Sequence, residues 1–137
     1  MASLALVDAG PLYSAVDTDE ADHRHCLEAL SRTDLILVVP ALVITEVLYF
    51  VNKRLGPRAE SAFLNGLKAF QIEAPTPADL GRMAELVEQY SDFPLGGADA
   101  SVVALAERLG ATTIITLDQR HFGSVKPKHL DSFELLP

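Results

Sequence analysis

The chain has 137 residues, of which 49% are hydrophobic, and its formal net charge is −8 at pH 7. This length predicts one domain over residues 1–137, and the hydrophobic content excludes an intrinsically disordered chain. The negative charge argues against a protein that coats nucleic acid non-specifically, because such binding needs a basic face. A nucleic-acid substrate held through metal ions or a local basic patch stays open, as does a basic partner.

No apolar run approaches the length of about 18 residues at which a membrane span is expected. The N-terminus lacks a basic segment and a cleavage site, so we expect no signal peptide. The one cysteine, Cys26, excludes an intrachain disulfide and suits a reducing compartment. We therefore expect a cytoplasmic protein without a membrane segment.

Short apolar runs alternate with helical patterns in the first half of the chain. The predicted elements are a strand at residues 3–8, a helix beginning at Gly10-Pro11, a second helix ending near Arg32, a strand at Leu35–Val39 and a helix from Pro40 to Leu55. Proline fits the first turn of a helix. The acidic segment Asp17–Glu20 offers N-cap residues for the second helix, and Gly56 is suited to end the third.

The second half of the chain continues this alternation. The predicted elements are a helix from Pro57 to about Phe70, a short strand at Phe70–Ala74, a helix from Pro77 to Tyr90 with Thr76 as N-cap, a loop at Asp92–Gly97, a helix at Ala98–Leu109, a strand at 112–117, a polar loop and a last short strand near Phe133–Leu135. Strands that alternate with helices predict an α/β fold with a mostly parallel central sheet flanked by helices.

Two of the predicted strands are followed by an aspartate at the point where each should end. Leu4–Val7 precedes Asp8, and Thr112–Thr116 leads into Asp118. The carboxyl ends of parallel strands meet at one edge of an open α/β sheet, and ligands bind there. We therefore expect both carboxylates at that edge.

Glu46 and Asp99 are acids in apolar surroundings. On a helix, the neighbours of Glu46 three and four residues away are all apolar, namely Leu42, Val43, Tyr49 and Phe50. A carboxylate on such a face is costly unless a cation compensates for the lost water. Asp99 is expected in the first turn of its helix, where an anion is favoured.

Each of these four acids also has a structural interpretation. Asp8 and Asp118 could cap the turns after their strands, and Asp99 could cap its helix. Glu46 could pair with a buried arginine. Four carboxylates at one edge of a sheet would, however, repel one another unless they hold a divalent cation. Mg²⁺ and Mn²⁺ prefer such oxygen ligands, and phosphodiester hydrolysis is the typical chemistry of such a site.

Four segments of the chain resemble, in order, the successive motifs of PIN-domain ribonucleases, in particular the VapC toxins of bacterial toxin–antitoxin modules. They are VDAGPLYSAVDTDEADHRH at 7–25, TEVLYFVNKRLG at 45–56, YSDFPLGGADASVVALAERLG at 90–110 and TTIITLDQRHF at 112–122. The resemblance covers nearly the whole chain. It implies a Mg²⁺- or Mn²⁺-dependent endoribonuclease built on a small PIN-like α/β/α sandwich.

The resemblance also assigns roles to individual residues. The acidic positions of the family, which are metal ligands and catalytic residues, match Asp8, Glu46, Asp99 and Asp118. The small polar residue before the last acid matches Thr116, a supporting residue. Many relatives carry Ser, Asn or Thr two residues after the first aspartate, where this chain has Gly10. Asp92, in the family's Tyr-x-Asp-x-Pro-Leu stretch, is interpreted as supporting or structural.

The resemblance implies partners as well. VapC toxins are typically held inactive by a VapB antitoxin, whose tail, often with an arginine, enters the active site. A homodimer and an RNA substrate are also implied, with 5′-phosphate and 3′-hydroxyl products; transfer RNA and ribosomal RNA both stay open. The apolar face Leu42–Val51 could belong to the antitoxin groove, the core or a dimer contact.

A basic segment follows Asp118 and is the best local candidate for contact with an RNA backbone. Its members are Arg120, His121, Lys126, Lys128 and His129. An ordinary solvated loop is the alternative interpretation of the same residues.

Three other functions stay open. Asp22, His25 and Cys26 share a helical face and could bind zinc, although no second ligand pair accompanies them. Two of the four histidines could form the acid–base pair of a metal-free ribonuclease, which would leave cyclic phosphate ends. The acidic pocket could also belong to a non-catalytic binding module that receives a basic partner segment.

Overall fold

A parallel five-stranded sheet lies at the centre of the fold, in the strand order β3-β2-β1-β4-β5. The computed structural model describes residues 2–137. The strands are β1 Ser3–Val7, β2 Leu35–Pro40, β3 Gln71–Glu73, β4 Thr113–Ile115 and β5 Glu134–Leu136. The prediction of a mostly parallel sheet is confirmed, and every strand pair within the described residues is parallel.

Helices connect the strands. They are α1 Ala9–Val16, α2 His23–Leu30, α3 Ala41–Leu55, α4 Pro57–Gly66, α5 Pro77–Gln89, α6 Gly97–Leu109 and α7 Gln119–Ser124, with a 3-10 turn at Leu67–Ala69. The predicted α/β/α arrangement is therefore confirmed. No helix within residues 2–137 is both long enough and apolar enough to cross a membrane.

The centre of the sheet is fully buried. Ala5, Leu6 and Val7 of β1 and Ile114 and Ile115 of β4 have no exposed surface, which explains why these strands are continuous apolar runs. Each fully buried valine, leucine or isoleucine contributes roughly 1.5–3 kcal/mol to folding. The two strands that carry the candidate site thus belong to the most strongly packed part of the molecule.

Several helix ends follow the signals in the sequence. Thr76 and Asp79 form a capping box in which each side chain accepts a hydrogen bond from the other residue's backbone N–H, at 3.2 and 2.9 Å. Gly56 and Gly110 end α3 and α6 with φ angles of 91° and 73°, a conformation that favours glycine. The predicted Thr76 cap and the predicted Gly56 stop are confirmed.

Two helix predictions were wrong. The segment after Asp118 was expected to be a polar loop, but Gln119–Ser124 forms α7. This helix is too short to leave a periodic apolar pattern. The second helix begins at His23 rather than directly after Asp17–Glu20, so this acidic segment does not cap it.

Most other differences concern the limits of elements. β1 ends at Val7, β4 covers only Thr113–Ile115, and the helix expected to reach Phe70 stops at Gly66 before the 3-10 turn. The strands are shorter because the chain already turns at Asp8 and Thr116 to form the edge that carries the carboxylates.

Candidate active site

Asp8 and Asp118 follow the adjacent strands β1 and β4, whose last residues, Val7 and Ile115, are register partners. The Thr116 hydroxyl lies between the two aspartates. It donates a hydrogen bond to Oδ2 of Asp8 at 2.8 Å and accepts one from the backbone N–H of Asp118 at 2.9 Å. The parallel sheet therefore brings both ends of the chain together at one edge.

Asp8 is nearly buried at this edge, with 8% of its surface exposed. Burial raises the pKa of its carboxyl group, and the charge of Asp118 raises it further, while hydrogen bonds from the Ala9 backbone and Thr116 oppose the shift. The ionised form of Asp8 is therefore disfavoured by burial, and its two hydrogen bonds offset only part of this cost.

Asp118 has a structural role in addition to its place at the edge. It is the N-cap of α7, and its Oδ1 accepts a hydrogen bond from the His121 backbone N–H at 3.2 Å. The Nδ1 atom of His121 lies 2.7 Å from the other oxygen, Oδ2. The capping interpretation of Asp118 is therefore correct, and His121 lies at the carboxylate edge.

Asp99 lies in the first turn of α6, after the N-cap Gly96, where the helix end favours an anion. Burial raises the pKa of Asp99 to about 6, with further contributions from the charges of Asp8 and Asp118. The nearby charge of His121 opposes this shift. Asp99 therefore belongs to the same electrostatic group as the two strand-end aspartates.

Glu46 was expected on a buried apolar face, and this expectation was wrong. Its side chain is exposed, and its neighbours Leu42 and Tyr49 are 40% and 59% exposed. The buried stripe of α3 consists of other residues, Val43, Val47 and Val51. Partial desolvation and the charge of Asp8 nevertheless raise the pKa of Glu46, so its carboxylate also faces the acidic edge.

The donor chemistry of the four acids fits a hard divalent cation. Asp8, Glu46 and Asp99 form no ion pair with any lysine, arginine or histidine of residues 2–137, and Asp118 pairs with His121. The pairing of Glu46 with a buried arginine is therefore not found. In the described chain no three acidic, histidine or cysteine side chains are gathered at metal-ligand spacing. Carboxylate oxygens are the ligand type that Mg²⁺ and Mn²⁺ prefer.

An open cleft of about 450 Å³ lies beside the acidic edge. Its lining includes Asp8, Gly10, Tyr13, Glu46, Phe50, Arg54, Leu117 and Asp118. Phe50 belongs to the apolar Leu42–Val51 face noted in the sequence, whereas Tyr13 and Arg54 were not singled out. The signal that would have found Arg54 is the spacing of Glu46, Phe50 and Arg54, which are four residues apart on one face of α3.

Gly10 also borders this cleft, at the start of α1. A Cβ atom at this position would lie 3.4 Å from both Cβ and Cδ1 of Leu117. That distance is ordinary van der Waals contact, so the lack of a side chain at Gly10 is not required by packing.

The predicted basic segment is divided between two places. Arg120 is exposed on α7, next to the acidic edge. Lys128 instead donates its backbone N–H to the Glu107 carboxylate at 2.9 Å. Asp99 lies in the first turn of α6 and Glu107 near its C-terminal end, about 12 Å further along the helix axis. Lys126 is exposed and donates its backbone N–H to the Tyr90 hydroxyl. Only Arg120 and His121 of this segment lie beside the carboxylates.

The remaining predicted residues lie apart from the cleft. Asp92 is exposed in the turn before α6. Cys26 is fully buried whereas Asp22 and His25 are exposed, so these three do not form a zinc site.

The histidines are also dispersed. His23 and His129 contact the carbonyl groups of Ser14 and Ala111, while His121 contacts Asp118. These three rings contact different parts of the chain, and no two histidines form a hydrogen-bonded pair within residues 2–137.

Comparison with known proteins agrees with this geometry. The PIN domain family matches residues 5–126, and the chain belongs to that family. It is 34% identical over 134 residues to "Ribonuclease VapC26" of Mycobacterium tuberculosis, an alignment that covers 96% of this chain and 99% of the relative. The resemblance stated from the sequence motifs is thus confirmed.

Solved structures share the fold. The Mycobacterium tuberculosis VapC20 structure, described as a sarcin–ricin loop cleaving toxin, aligns with a TM-score of 0.78 and 17% identity, covering 93% of this chain and 98% of that one. VapBC2 of Rickettsia felis, bound to a promoter DNA fragment, aligns with a TM-score of 0.69 and 17% identity, covering 96% of both chains. A toxin–antitoxin complex from Klebsiella pneumoniae aligns at 0.68 with 21% identity, covering 88% of this chain and 92% of that one.

Proposed function

We propose that this protein is a divalent-metal-dependent endoribonuclease, the toxin of a type II toxin–antitoxin system that a VapB-like antitoxin inhibits. The observation that carries this proposal is the convergence of Asp8, Thr116 and Asp118 at the end of two adjacent strands, beside Asp99 and Glu46. Membership of the PIN family and the likeness to a VapC ribonuclease support it.

Asp8, Glu46, Asp99 and Asp118 would hold the cation, which we propose to be Mg²⁺ or Mn²⁺. When bound, such an ion activates water and offsets the charge that develops on the phosphate. Burial raises the pKa values of Asp8, Glu46 and Asp99, and repulsion from neighbouring carboxylates raises them further. A bound cation would favour the ionised form of each, which supports this assignment.

The chain's own residues prepare this edge for reaction. Thr116 orients one Asp8 oxygen, and the His121 backbone and ring fix Asp118. Asp99, with a pKa of about 6, is mostly ionised at neutral pH. In the proposed hydrolysis a water oxygen bonds to phosphorus, the bond from phosphorus to the 3′ oxygen breaks, and that oxygen takes up a proton. The products then carry 5′-phosphate and 3′-hydroxyl ends.

The acidic cleft also suits the proposed antitoxin. A basic tail segment from a VapB-like partner would be attracted to the carboxylates of Asp8 and Glu46, which line the cleft without a cationic partner among the described residues. The toxin–antitoxin complexes among the structures that share this fold support a partner of this kind. The proposed assembly is a cytoplasmic homodimer that binds its antitoxin, and its RNA substrate belongs to the transfer- or ribosomal-RNA class.

A non-catalytic binding module that receives a basic segment is the second candidate, favoured by the same unpaired acids. Asp8→Asn distinguishes the two. The endoribonuclease function predicts that this variant folds and still binds a co-expressed antitoxin, but loses at least about 100-fold in cleavage rate. A wild-type protein that binds the antitoxin, yet cuts transfer and ribosomal RNA no faster than Asp8→Asn does, would favour the binding module.

A further inference from the structure

Arg54 is a basic residue of the cleft that has no role in the mechanism above. Among the described residues that line the cleft, it is the only lysine or arginine. It lies in the last turn of α3, two turns or about 12 Å beyond Glu46 along the helix axis. Arg54 therefore lines the same cleft as the carboxylates but lies about two helical turns from Glu46.

Two aromatic rings hold the Arg54 guanidinium group in place. Its central carbon lies 4.9 Å from the ring centroid of Phe50 and 5.3 Å from that of Tyr13. The two rings pack edge to face with their centroids 6.2 Å apart, and the Tyr13 hydroxyl donates a hydrogen bond to Asp17. Aromatic faces attract a cation without neutralising it, so the guanidinium is positioned and keeps its charge.

The one ion pair that Arg54 forms within residues 2–137 is weakly engaged, and the charge of Arg54 also helps to lower the pKa of nearby Asp17. Glu20 approaches it at 3.6 Å through one contact, and the two side chains are 37% and 52% exposed. Exposed ion pairs of this kind contribute little. A phosphate group can instead accept two parallel hydrogen bonds from a guanidinium, which is a stronger and more specific contact. Arg54 is therefore free to exchange Glu20 for a phosphate.

A nuclease with a net charge of −8 must also overcome repulsion of its substrate. We propose that Arg54 binds an RNA phosphate other than the one that is cleaved and so positions the strand across the acidic edge. This inference rests on the proposed endoribonuclease function. The distance from Glu46 assigns Arg54 to a flanking phosphate, and makes it a positioning residue rather than a catalytic one.

Binding of a fluorescent single-stranded oligoribonucleotide, measured by anisotropy in the Asp8→Asn background with Mg²⁺ present, tests this role. Arg54→Gln should weaken binding about tenfold, as loss of a charge-assisted contact predicts. It should also reduce the slope of log affinity against log salt by about 0.7, the value for one phosphate contact on a single strand. Arg54→Lys should restore most of the slope, since it restores the charge.

Arg32→Gln is the matched control. Arg32 pairs with Asp34 at 2.7 Å just before β2 begins, at the amino ends of the strands and so away from the carboxylates. Arg32→Gln changes the net charge of the protein by the same amount as Arg54→Gln does. It should leave affinity and salt slope unchanged. In the enzyme with Asp8 intact, Arg54→Gln should raise KM about tenfold and leave kcat nearly unchanged.

Two results would overturn the inference and leave the proposed endoribonuclease function intact. If the wild type cleaves RNA but Arg54→Gln binds with the same affinity and salt slope, Arg54 does not contact the substrate. If Arg32→Gln lowers affinity and slope as much as Arg54→Gln does, only the net charge matters. A wild type that neither binds nor cleaves RNA would instead overturn the endoribonuclease function, and the inference with it.

Discussion

The Thr116 hydroxyl donates a hydrogen bond to the Asp8 carboxylate at 2.8 Å, although the two residues are 108 positions apart in the chain. The parallel pairing of β1 with β4 brings them together. The same hydroxyl accepts the backbone N–H of Asp118, so one small side chain fixes a carboxylate oxygen and the turn that carries the next acid. Its position makes Thr116 the structural link between the two strand ends.

Thr116→Val removes this link while keeping the shape of the side chain. We expect it to cost about 1–3 kcal/mol of unfolding free energy, because a buried Asp8 oxygen and the Asp118 N–H each lose a partner. Cleavage should fall roughly 10–100-fold, as is typical when a residue that orients a metal ligand is lost. Urea unfolding and initial cleavage rates measure the two effects.

Thr116→Ser is the control for this substitution. It keeps the hydroxyl, so it should retain most of the cleavage rate even if the lost methyl group lowers stability. Equal cleavage rates for the valine and serine variants would show that the hydrogen bond to Asp8 is not needed.

Asp99→Asn removes one of the mutually repelling acids. With divalent metal chelated, it should raise the thermal midpoint by a few degrees, equivalent to about 1 kcal/mol, since the ionised form of this half-buried group is disfavoured. At the same time it should abolish RNA cleavage.

The metal response of the same variant provides a second measurement. Mg²⁺ or Mn²⁺ should raise the thermal midpoint of the wild type and of Asp131→Asn, an exposed aspartate away from the site, more than that of Asp99→Asn. Equal metal-induced shifts in all three proteins would argue against Asp99 as a ligand.

Asp79 should make stability depend on pH at acidic values. Its burial favours the protonated form, but hydrogen bonds from Thr76 and Arg108 outweigh this effect and hold the Asp79 pKa below its ordinary value of 3.8. The stabilisation is therefore fully present above the unfolded-state pKa and is lost as the pH falls through the folded-state pKa. Asp79→Asn should lower stability at pH 7 by about 1–2 kcal/mol.

Thermal melts between pH 7 and pH 2.5 measure this effect. The difference between wild type and Asp79→Asn should shrink below about pH 4, where Asp79 of the unfolded wild-type chain takes up a proton before the folded carboxylate does. Asp131→Asn, which changes an exposed aspartate, should show no such trend. A constant Asp79→Asn deficit across this range would contradict the account of the capping box and the Arg108 contact.

Gly10→Ala should stabilise the protein. Gly10 lies in the first turn of α1, and replacing a helical glycine by alanine gains up to about 1 kcal/mol. The new methyl group would meet Leu117 at ordinary contact distance. Chemical unfolding measures the gain, and a loss of stability would show that the Gly10–Leu117 contact is tighter than this geometry indicates.

The sequence was sufficient to locate β1, β2 and β4, because buried parallel strands are continuous apolar runs. The same logic placed Asp8 and Asp118 at one edge, since each follows such a run. The α7 helix was missed because six residues are too few to show a period, and its N-cap, Asp118, had already been assigned to the strand end.

Tertiary contacts account for what the sequence could not provide. The apolar neighbours of Glu46 suggested burial, but Leu42 and Tyr49 are exposed because the core side of α3 is the valine stripe. Arg54 is adjacent to Tyr13 only through the packing of α1 against α3, which no local pattern records. Which face of an amphipathic helix is buried, and which helices contact one another, is decided only when the whole chain is folded.

Cleavage of total transfer RNA by the purified protein, with Mg²⁺, with Mn²⁺ and with EDTA, tests whether the acidic edge is the centre of a metal-dependent endoribonuclease. The product ends are mapped, and Asp99→Asn is run beside the wild type. We expect cuts that need divalent metal, leave 5′-phosphate and 3′-hydroxyl ends, and disappear in EDTA and in the variant. Cuts that persist in EDTA, or that leave cyclic phosphate ends, would contradict this function.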